Sequence, residues 1–460
     1  MGRSAAHDPD SVRPVTEGGA GDERVVVALQ ALVRIPTVSH RDPGETDSSA
    51  FDALLAELER RFPLLHEQLE LTRVHTHGLL FHWRGRSAER PVVLMAHLDV
   101  VPVDEDAPWQ RDPFGGELVD GSVWGRGTLD DKGSLVAICE AVEQLLEAGA
   151  TPAQDVWLSF GCDEEVMGHA APLAVGELVR RGVRPWFVLD EGGAVAHEAF
   201  PGVRAPVGVI GVTEKGVTSL ELRVEGRGGH ASTPSRMGPT TRLARAILRL
   251  EGAPMPASTP EPTLELFRRL APHAPLPLRA LLTGATRVQP LLTRALLAAG
   301  PETAAMTRTT FAVTTLSGSP ALNVIAATAT AGVNIRVMVG DTVAGVLDHV
   351  RKAVRDDQVQ VRVVEEGEPS PVSPRDDAFG LLEATITEVF PDAVPAPYVM
   401  MAATDSRAFT GICERVYRFA PFRMTKAQRE AIHSYDEHLR VEDLLDGVRW
   451  YRSLLEGLPR

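Results

Sequence analysis

The stretch PVVLMAHLD, residues 91–99, decides the fold. Its apolar run predicts a short buried β-strand that ends where His97 and Asp99 begin a polar segment. Apolar runs at 156–160 and 186–189 also end in acidic residues. Because helical patterns separate these runs, we expect an α/β fold with a mainly parallel sheet and helices on both faces. Open sheets of this class bind ligands at the carboxyl ends of their strands.

The pattern changes near residue 213, where apolar and polar residues alternate as on a half-solvated sheet. It returns to the α/β type near residue 367. This order predicts that an α+β domain with an open sheet is inserted into the main domain. The predicted segments are a flexible tail over 1–22, a main domain over 23–212 and 367–460, and an inserted domain over 213–366 with a helical insertion at about 252–308.

Charge and composition exclude several classes of protein. Lys and Arg number 47 and Asp and Glu 62, which leaves a net charge of −15. An acidic surface disfavours nucleic acid and anionic membranes as partners. We expect no signal peptide, and no apolar run reaches the roughly 18 residues needed to span a bilayer. Cys139, Cys162 and Cys413 are scattered and form no CxxC pair, which favours a reducing, cytoplasmic location.

Residues suited to metal chemistry follow the predicted strands. Each motif has an ordinary explanation when taken alone, as a helix cap, an acidic turn or a structural histidine. Together they bring His, Asp and Glu to one edge of the sheet, without Cys. This donor set suits zinc at a hydrolytic site, with cobalt or manganese as alternatives, and such metals often act in pairs. The motifs are His97 with Asp99, Asp130-Asp131 after a Gly-rich turn, the run 163–165, Asp190-Glu191 and His433.

The combination resembles the zinc metallopeptidase family that holds aminoacylase, carboxypeptidase S and acetylornithine deacetylase. It is most similar to the branch of carboxypeptidase S and N-fatty-acyl-amino-acid hydrolases. The similarity covers nearly the whole chain after the tail, and its order is far more specific than any one motif. The matching motifs are LMAHLDVVP, WGRGTLDDKG, DEE, LDEGG, GGHAS, NVIA, TDSR and IHSYDE.

The resemblance implies a site with two zinc ions in the main domain, where catalysis would take place. Adjacent Glu191 is the alternative to Asp190 as a ligand. The five implied ligands are His97 and Asp190 for one ion, Glu165 and His433 for the other, and Asp130 as the bridge between both.

The resemblance also assigns roles beside the metals. Asp99 would orient His97, and Glu164 would be the general base. The inserted domain would be a lid or dimerisation domain, and His230 within it would stabilise the oxyanion. Candidates for the substrate carboxylate are Asn323, Arg336 and Arg407, although either arginine also fits an ordinary ion pair.

The implied activity is metal-dependent hydrolysis of the amide bond in N-acyl-amino acids, long acyl chains included. The alternative is a dipeptidase or carboxypeptidase on short peptides, and a third reading is an inactive binding protein of the same fold. The implied partner is a small-molecule substrate, with the chain as a monomer or homodimer. The insertion at 252–308 either lines an acyl groove or forms lid core.

Overall fold

The computed structural model describes residues 20–104, 106–200 and 202–460. The predicted tail falls largely outside this part, and the first described helix begins at Ala20. The helices are α1 Ala20–Val33, α2 Ser48–Arg61, α3 Pro63–Gln68, α4 Lys132–Glu147, α5 Ala170–Arg180, α6 Pro239–Glu251, α7 Glu261–Leu270, α8 Leu276–Thr283, α9 Gln289–Ala299, α10 Pro301–Ala305, α11 Val343–Val354, α12 Asp377–Val389, α13 Lys426–Ala431 and α14 Val441–Glu456.

The strands form one large and three small sheets. They are β1 Glu70–Val74, β2 Gly78–Trp83, β3 Ser87–His97, β4 Glu117–Val119, β5 Ser122–Trp124, β6 Gln154–Gly161, β7 Phe187–Asp190, β8 Ala194–Ala196, β9 Val207–Glu214, β10 Gly216–Glu225, β11 Gly229–His230, β12 Thr310–Ser317, β13 Val324–Ile325, β14 Thr328–Val337, β15 Val359–Glu365, β16 Val394–Met400, β17 Val416–Arg418, β18 Arg423–Met424 and β19 His438–Arg440.

The large sheet is mixed and mainly parallel, as the apolar runs predict. Its order is β1-β2-β6-β3-β7-β17-β9-β8-β18, and β16 pairs with β9. The three strands read from the sequence, β3, β6 and β7, are parallel neighbours at its centre. Their carboxyl ends therefore meet at one edge, which is where the candidate residues follow them.

Helices cover both faces of this sheet because alternate residues of its central strands point to opposite sides. On β3, Val92 and Leu94 pack with α1, α4 and α14 in one cluster. Val93 and Met95 pack with α5 in another. A strand buried on both faces must be apolar throughout, which explains the unbroken run in the sequence.

The inserted domain has its own sheet and its own core. Its strand order is β12-β14-β10-β15, with antiparallel neighbours. One face packs on α6 and α11, and the alternating Leu220, Leu222 and Val224 of β10 point into that core. The other face and the edge strand β12 are largely exposed. The chain enters this domain between Glu214 and Gly216, close to the predicted boundary.

Most of the helical insertion packs on the main domain, which corrects the prediction for 252–308, whereas Ala253 and Met255 at its start pack in the core of the inserted domain. Helices α7 to α9 share a core with the edge of the large sheet, where Leu266 and Phe267 pack with Val207 of β9 and Ala396 of β16. The physical reason is that β16 is an edge strand whose apolar face needs a cover. The contact of these helices with β9 and β16 could not be predicted from the sequence, because the helices lie next to the strands of the inserted domain along the chain.

Among the described residues, no helix is both long and apolar enough to cross a membrane.

Truncation inside the shared core tests this placement. Leu266 is fully buried between the insertion and the large sheet. We expect Leu266→Ala to lower the free energy of unfolding by about 2–5 kcal/mol, because it opens a cavity where the two units meet. Leu276→Ala, at an exposed leucine of α8, should change it by less than about 0.5 kcal/mol. Urea denaturation of both variants measures the difference, and equal effects would place the insertion outside the main core.

Candidate active site

His97 ends β3 and is held from both sides of its ring. Its Nδ1 lies 3.0 Å from the carbonyl oxygen of Asp99, and its Nε2 lies 2.8 Å from Asp130 Oδ1. Burial opposes a charged ring, but hydrogen bonds with Asp130 and Asp99 raise the pKa of His97 well above its usual value. The ring is therefore oriented through Nδ1, while Nε2 points at the carboxylate predicted as the bridge.

Asp99 is fully buried and joins three segments. Its carboxylate accepts a hydrogen bond from Ser39 Oγ at 2.7 Å and from the backbone N–H groups of Glu164 and Glu165 at 3.2 and 3.1 Å. It thus orients His97 and also fixes the start of the acidic run after β6. The arrangement fits the predicted role of Asp99, with a backbone contribution that the sequence did not reveal.

The Gly-rich turn that carries Asp130 is folded around a buried acid that sequence reasoning missed. Glu437 accepts hydrogen bonds from the N–H groups of Gly127, Leu129 and Asp130 at 3.0, 2.8 and 3.1 Å. Arg126 Nη1 also donates to it at 2.9 Å. Glu437 lies in the same IHSYDE motif as His433, and this was the available signal. Two distant parts of the chain are thereby locked together at the site.

His433 approaches the cluster from the loop after α13. It is in the left-handed conformation, with φ of 60°. Its Nε2 lies 3.0 Å from both Asp130 Oδ2 and Glu165 Oε2. Hydrogen bonds with Asp130 and then Glu165 raise the pKa of His433 to about 10. Asp130 is consequently bracketed by two imidazoles, one on each oxygen.

The structure places Glu191, and not Asp190, among the ligand-type atoms. Both oxygens of Asp190 are engaged by backbone N–H groups, of Ser406 at 2.8 Å and of Glu191 at 3.0 Å. Glu191 Oε1 instead lies 3.9 Å from His97 Nε2. Asp190 stays a prediction as the ligand, and the positions of these oxygens favour its alternative, Glu191.

Two sets of three ligand-type atoms result, with Asp130 common to both. The sets are His97, Asp130 and Glu191, and Asp130, Glu165 and His433, with the atoms of each set within 4.8 Å of one another. Glu165 Oε1 is buried and has no hydrogen-bond partner among the described residues. Buried carboxylates this close are costly unless cations neutralise them. The donors therefore fit two divalent cations bridged by Asp130.

Glu164 lies beside these sets but belongs to neither. Burial raises the pKa of Glu164 well above its usual range, and His97 opposes that shift. Asp405, also buried, is among the neighbours that raise it further. A carboxyl group next to a metal pair, and not bound to it, is suited to moving a proton.

His230 and Asn323 meet each other in the lid rather than at this cluster. His230 is the last residue of β11, and Asn323 directly precedes β13, the strand paired with it. The N–H of Ala231 donates to the carbonyl of Asn323 at 3.1 Å. His230 is exposed, and its Nδ1 lies 2.7 Å from Ser232 Oγ. In the part of the chain that the structure describes, neither residue forms a hydrogen bond or ion pair with the metal-type sets.

Arg336 of the inserted domain and Arg407 of the main domain lie near enough for their charges to affect each other. Arg336 is on β14, and Arg407 is in the 3-10 helix Asp405–Gly411. Burial, and then the charge of Arg407, lower the pKa of Arg336. The positive charges of the two guanidinium groups repel each other, and a bound anion such as a carboxylate would offset this repulsion.

Comparison with known proteins agrees with this geometry. A model of peptidase family M20/M25/M40 matches residues 93–457, and the chain belongs to this family. It is 34% identical over 444 residues to a probable carboxypeptidase S-like 2 of Dictyostelium discoideum, covering 94% of this chain and 85% of the relative. It is 36% identical over 444 residues to the N-fatty-acyl-amino acid synthase/hydrolase PM20D1 of Xenopus tropicalis, covering 95% and 86%.

Solved structures share the fold across both domains. Human carnosine dipeptidase 1 superposes with a TM-score of 0.69 at 16% identity, covering 95% of this chain and 96% of the other. The M20 family metallo-carboxypeptidase Sso-CP2 from Sulfolobus solfataricus gives 0.68 at 18% identity, covering 94% and 98%. The family and branch expected from the motifs are confirmed, and the chain is a metal-dependent hydrolase of amide bonds.

Neutralising each of the two adjacent acids tests which of them is the metal ligand. We expect Glu191→Gln to lower the bound metal from two ions towards one per chain, because its carboxylate completes one set of donors. Asp190→Asn removes the same charge from a side chain engaged by backbone N–H groups, so it should retain both ions. Elemental analysis after dialysis at limiting metal measures the counts, and loss of an ion only in Asp190→Asn would identify Asp190 as the ligand.

Proposed function

We propose that the protein hydrolyses the amide bond of N-acyl-amino acids, long acyl chains included, with two zinc ions at the sets that share Asp130. The observation that carries the proposal is the bracketing of Asp130 by His97 and His433, with Glu164 beside it. Imidazole and carboxylate donors without cysteine support zinc at a hydrolytic site. The name of the Xenopus tropicalis relative supports the acyl-amino acid as substrate.

Bound metal ions would supply Lewis-acid polarisation of the amide carbonyl and a more acidic water. The chain itself moves the proton. Glu164 takes it from the attacking water and returns it to the leaving amine, which is then released as the free amino acid. Asp99 holds the His97 ring and the backbone of Glu164 in fixed positions during this transfer, through a hydrogen bond with each.

The two arginines at the domain junction support recognition of the free carboxylate. Arg336 and Arg407 come from different domains, so a substrate held by both also holds the domains together. Planar guanidinium groups match a carboxylate geometrically. His230 is the proposed oxyanion stabiliser, which requires the lid to bring this exposed side chain to the reacting carbonyl.

The alternative is a carboxypeptidase or dipeptidase acting on short peptides. The name of the Dictyostelium discoideum relative favours it. Peptides and N-acyl-amino acids share an amide bond next to a free carboxylate, so the same groups would serve both. What differs is the group on the other side of that bond.

A mixed substrate panel decides between the two. Zinc-loaded protein is incubated with N-acetyl and N-oleoyl amino acids and with dipeptides, with and without chelator, and products are identified by mass spectrometry. We expect chelator-sensitive cleavage of the acyl-amino acids with dipeptides spared. Cleavage of dipeptides alone would establish the peptidase, and no cleavage in the presence of bound metal would exclude both substrate classes.

Replacing the proposed base tests the mechanism. Glu164→Gln keeps the size of the side chain and the backbone contact with Asp99 but cannot accept the water proton. We expect turnover to fall by about 10²- to 10⁴-fold with both metal ions retained.

The matched control is Asp163→Asn, in the same acidic run. Asp163 caps α5 by accepting hydrogen bonds from the N–H groups of His169 and Ala170. This variant should lose some thermal stability and keep turnover near the wild-type value. A Glu164→Gln protein that stayed active would make Glu164 dispensable as the base.

A further inference from the structure

Glu214 lies where the chain passes between the two domains. It is the last residue of β9, and β10 of the lid begins at Gly216. The returning segment meets it there, because its N–H donates to Ser370 Oγ at 2.8 Å and its carbonyl accepts from the Ser370 N–H at 3.1 Å. Both crossings between the domains are therefore hydrogen-bonded to each other at this residue.

The carboxylate of Glu214 is fully buried and reaches into the main domain. Its Oε1 accepts hydrogen bonds from the N–H and Oγ1 of Thr404 at 3.0 and 2.8 Å and from Arg418 Nε at 2.8 Å. Its Oε2 lies 3.6 Å from Arg407 Nε. One carboxylate thus forms ion pairs with Arg418 and Arg407 and hydrogen bonds with Thr404, three residues before Arg407.

Two guanidinium groups at this junction keep hydrogen-bond donors that no described residue satisfies. The Nη2 atoms of Arg407 and Arg418 are buried and have no hydrogen-bond partner among the described residues. Lys215, the next residue along the chain, is buried and its Nζ donates to the carbonyl oxygen of Arg308 at 2.9 Å. Burial followed by the charge of Arg336 lowers the pKa of Lys215 to about 8. An incoming carboxylate would satisfy groups that the fold leaves unpaired.

The segment held by Glu214 also contacts Asp190, the neighbour in sequence of one member of the metal-type sets. The N–H of Ser406 donates to Asp190 at 2.8 Å, and Asp190 precedes Glu191. Thr404 Oγ1 lies 2.7 Å from Ser406 Oγ. A shift of this segment would therefore move Arg407 relative to the reacting centre.

We propose that Glu214 is a positioning residue for Arg407. It holds the backbone before Arg407 by hydrogen bonds with Thr404 and holds the guanidinium group of Arg407 by an ion pair. Arg407 then presents its unpaired Nη2 to the substrate carboxylate. This inference rests on the proposed function. Glu214 itself does not touch substrate; it sets the position of a group that does, at the point where the lid joins the main domain.

Glu214→Gln tests the proposal because it keeps the size and an oxygen for Thr404 but removes the charge that faces Arg407. We expect KM for an N-acyl-amino acid to rise about tenfold, with kcat within about twofold and both metal ions bound. A merely structural role would lower thermal stability and leave KM unchanged. Glu214→Asp retains the charge, should give a smaller rise in KM, and serves as the second variant if Glu214→Gln does not fold.

A double-mutant cycle with Arg407→Gln shows whether the effect passes through Arg407. In that background Glu214→Gln should add nothing to KM, whereas additive effects would overturn the proposal. The matched control is Glu143→Gln, at a buried glutamate that accepts hydrogen bonds from the N–H groups of Leu64 and Leu65 far from the junction. This control should leave KM unchanged.

A binding measurement separates this inference from the proposed function. Calorimetry with N-oleoyl-phenylalanine on metal-loaded Glu164→Gln protein requires no turnover. Adding Glu214→Gln should weaken binding about tenfold, and unchanged affinity would overturn the positioning role even if the wild-type enzyme is active. Absence of chelator-sensitive hydrolysis by the wild type would instead overturn the function and leave the binding result to decide the role of Glu214.

Discussion

The crowding of carboxylates around Asp130 is the constraint on which the rest of the site depends. Asp130 is contacted by an imidazole on each oxygen, and Glu165 and Glu191 stand on either side. Such a group of buried acids is stable only when positive charge lies between its members. Three surrounding features hold these repelling groups in place. Strands β3, β6 and β7 end at one edge of the sheet, beside the site. Asp99 accepts hydrogen bonds from the backbone of Glu164 and Glu165, and Glu437 does so from the turn that carries Asp130.

Much of this arrangement follows from the order of residues along the chain. The apolar run before His97 is buried on both faces of the sheet, and only a central strand requires that pattern. Because parallel strands end at one edge, His97 and Glu165 were expected together, and the family resemblance added Asp130; the three lie together. The choice between Asp190 and Glu191 was beyond the pattern, since it depends on the residue at which β7 ends and on the N–H groups that engage Asp190.

Contacts between distant segments account for the remaining differences. The helices after residue 252 follow α6 of the inserted domain in sequence, yet Leu266 packs with residues of β9 and β16, which are far apart along the chain. Hydrophobic spacing predicts that such helices bury one face but does not say against which partner. The same holds for Glu437 and Glu214, whose hydrogen-bond partners lie hundreds of residues away or across the domain junction. His230 and Asn323 are adjacent in the lid, where the β11–β13 pair brings their segments together.

The junction at Gly216 also has a mechanical consequence. Strand β10 leaves it as a stiff ten-residue arm, which spans about 30 Å at the usual rise per residue, and His230 follows shortly beyond its far end. Since both crossings of the chain are tied together at Ser370, a moving lid would turn about this point rather than slide along it. A rotation of roughly ten degrees there would carry the tip of the arm through about 5 Å. The long strand therefore converts a small change near Arg336 and Arg407 into a large displacement of the histidine.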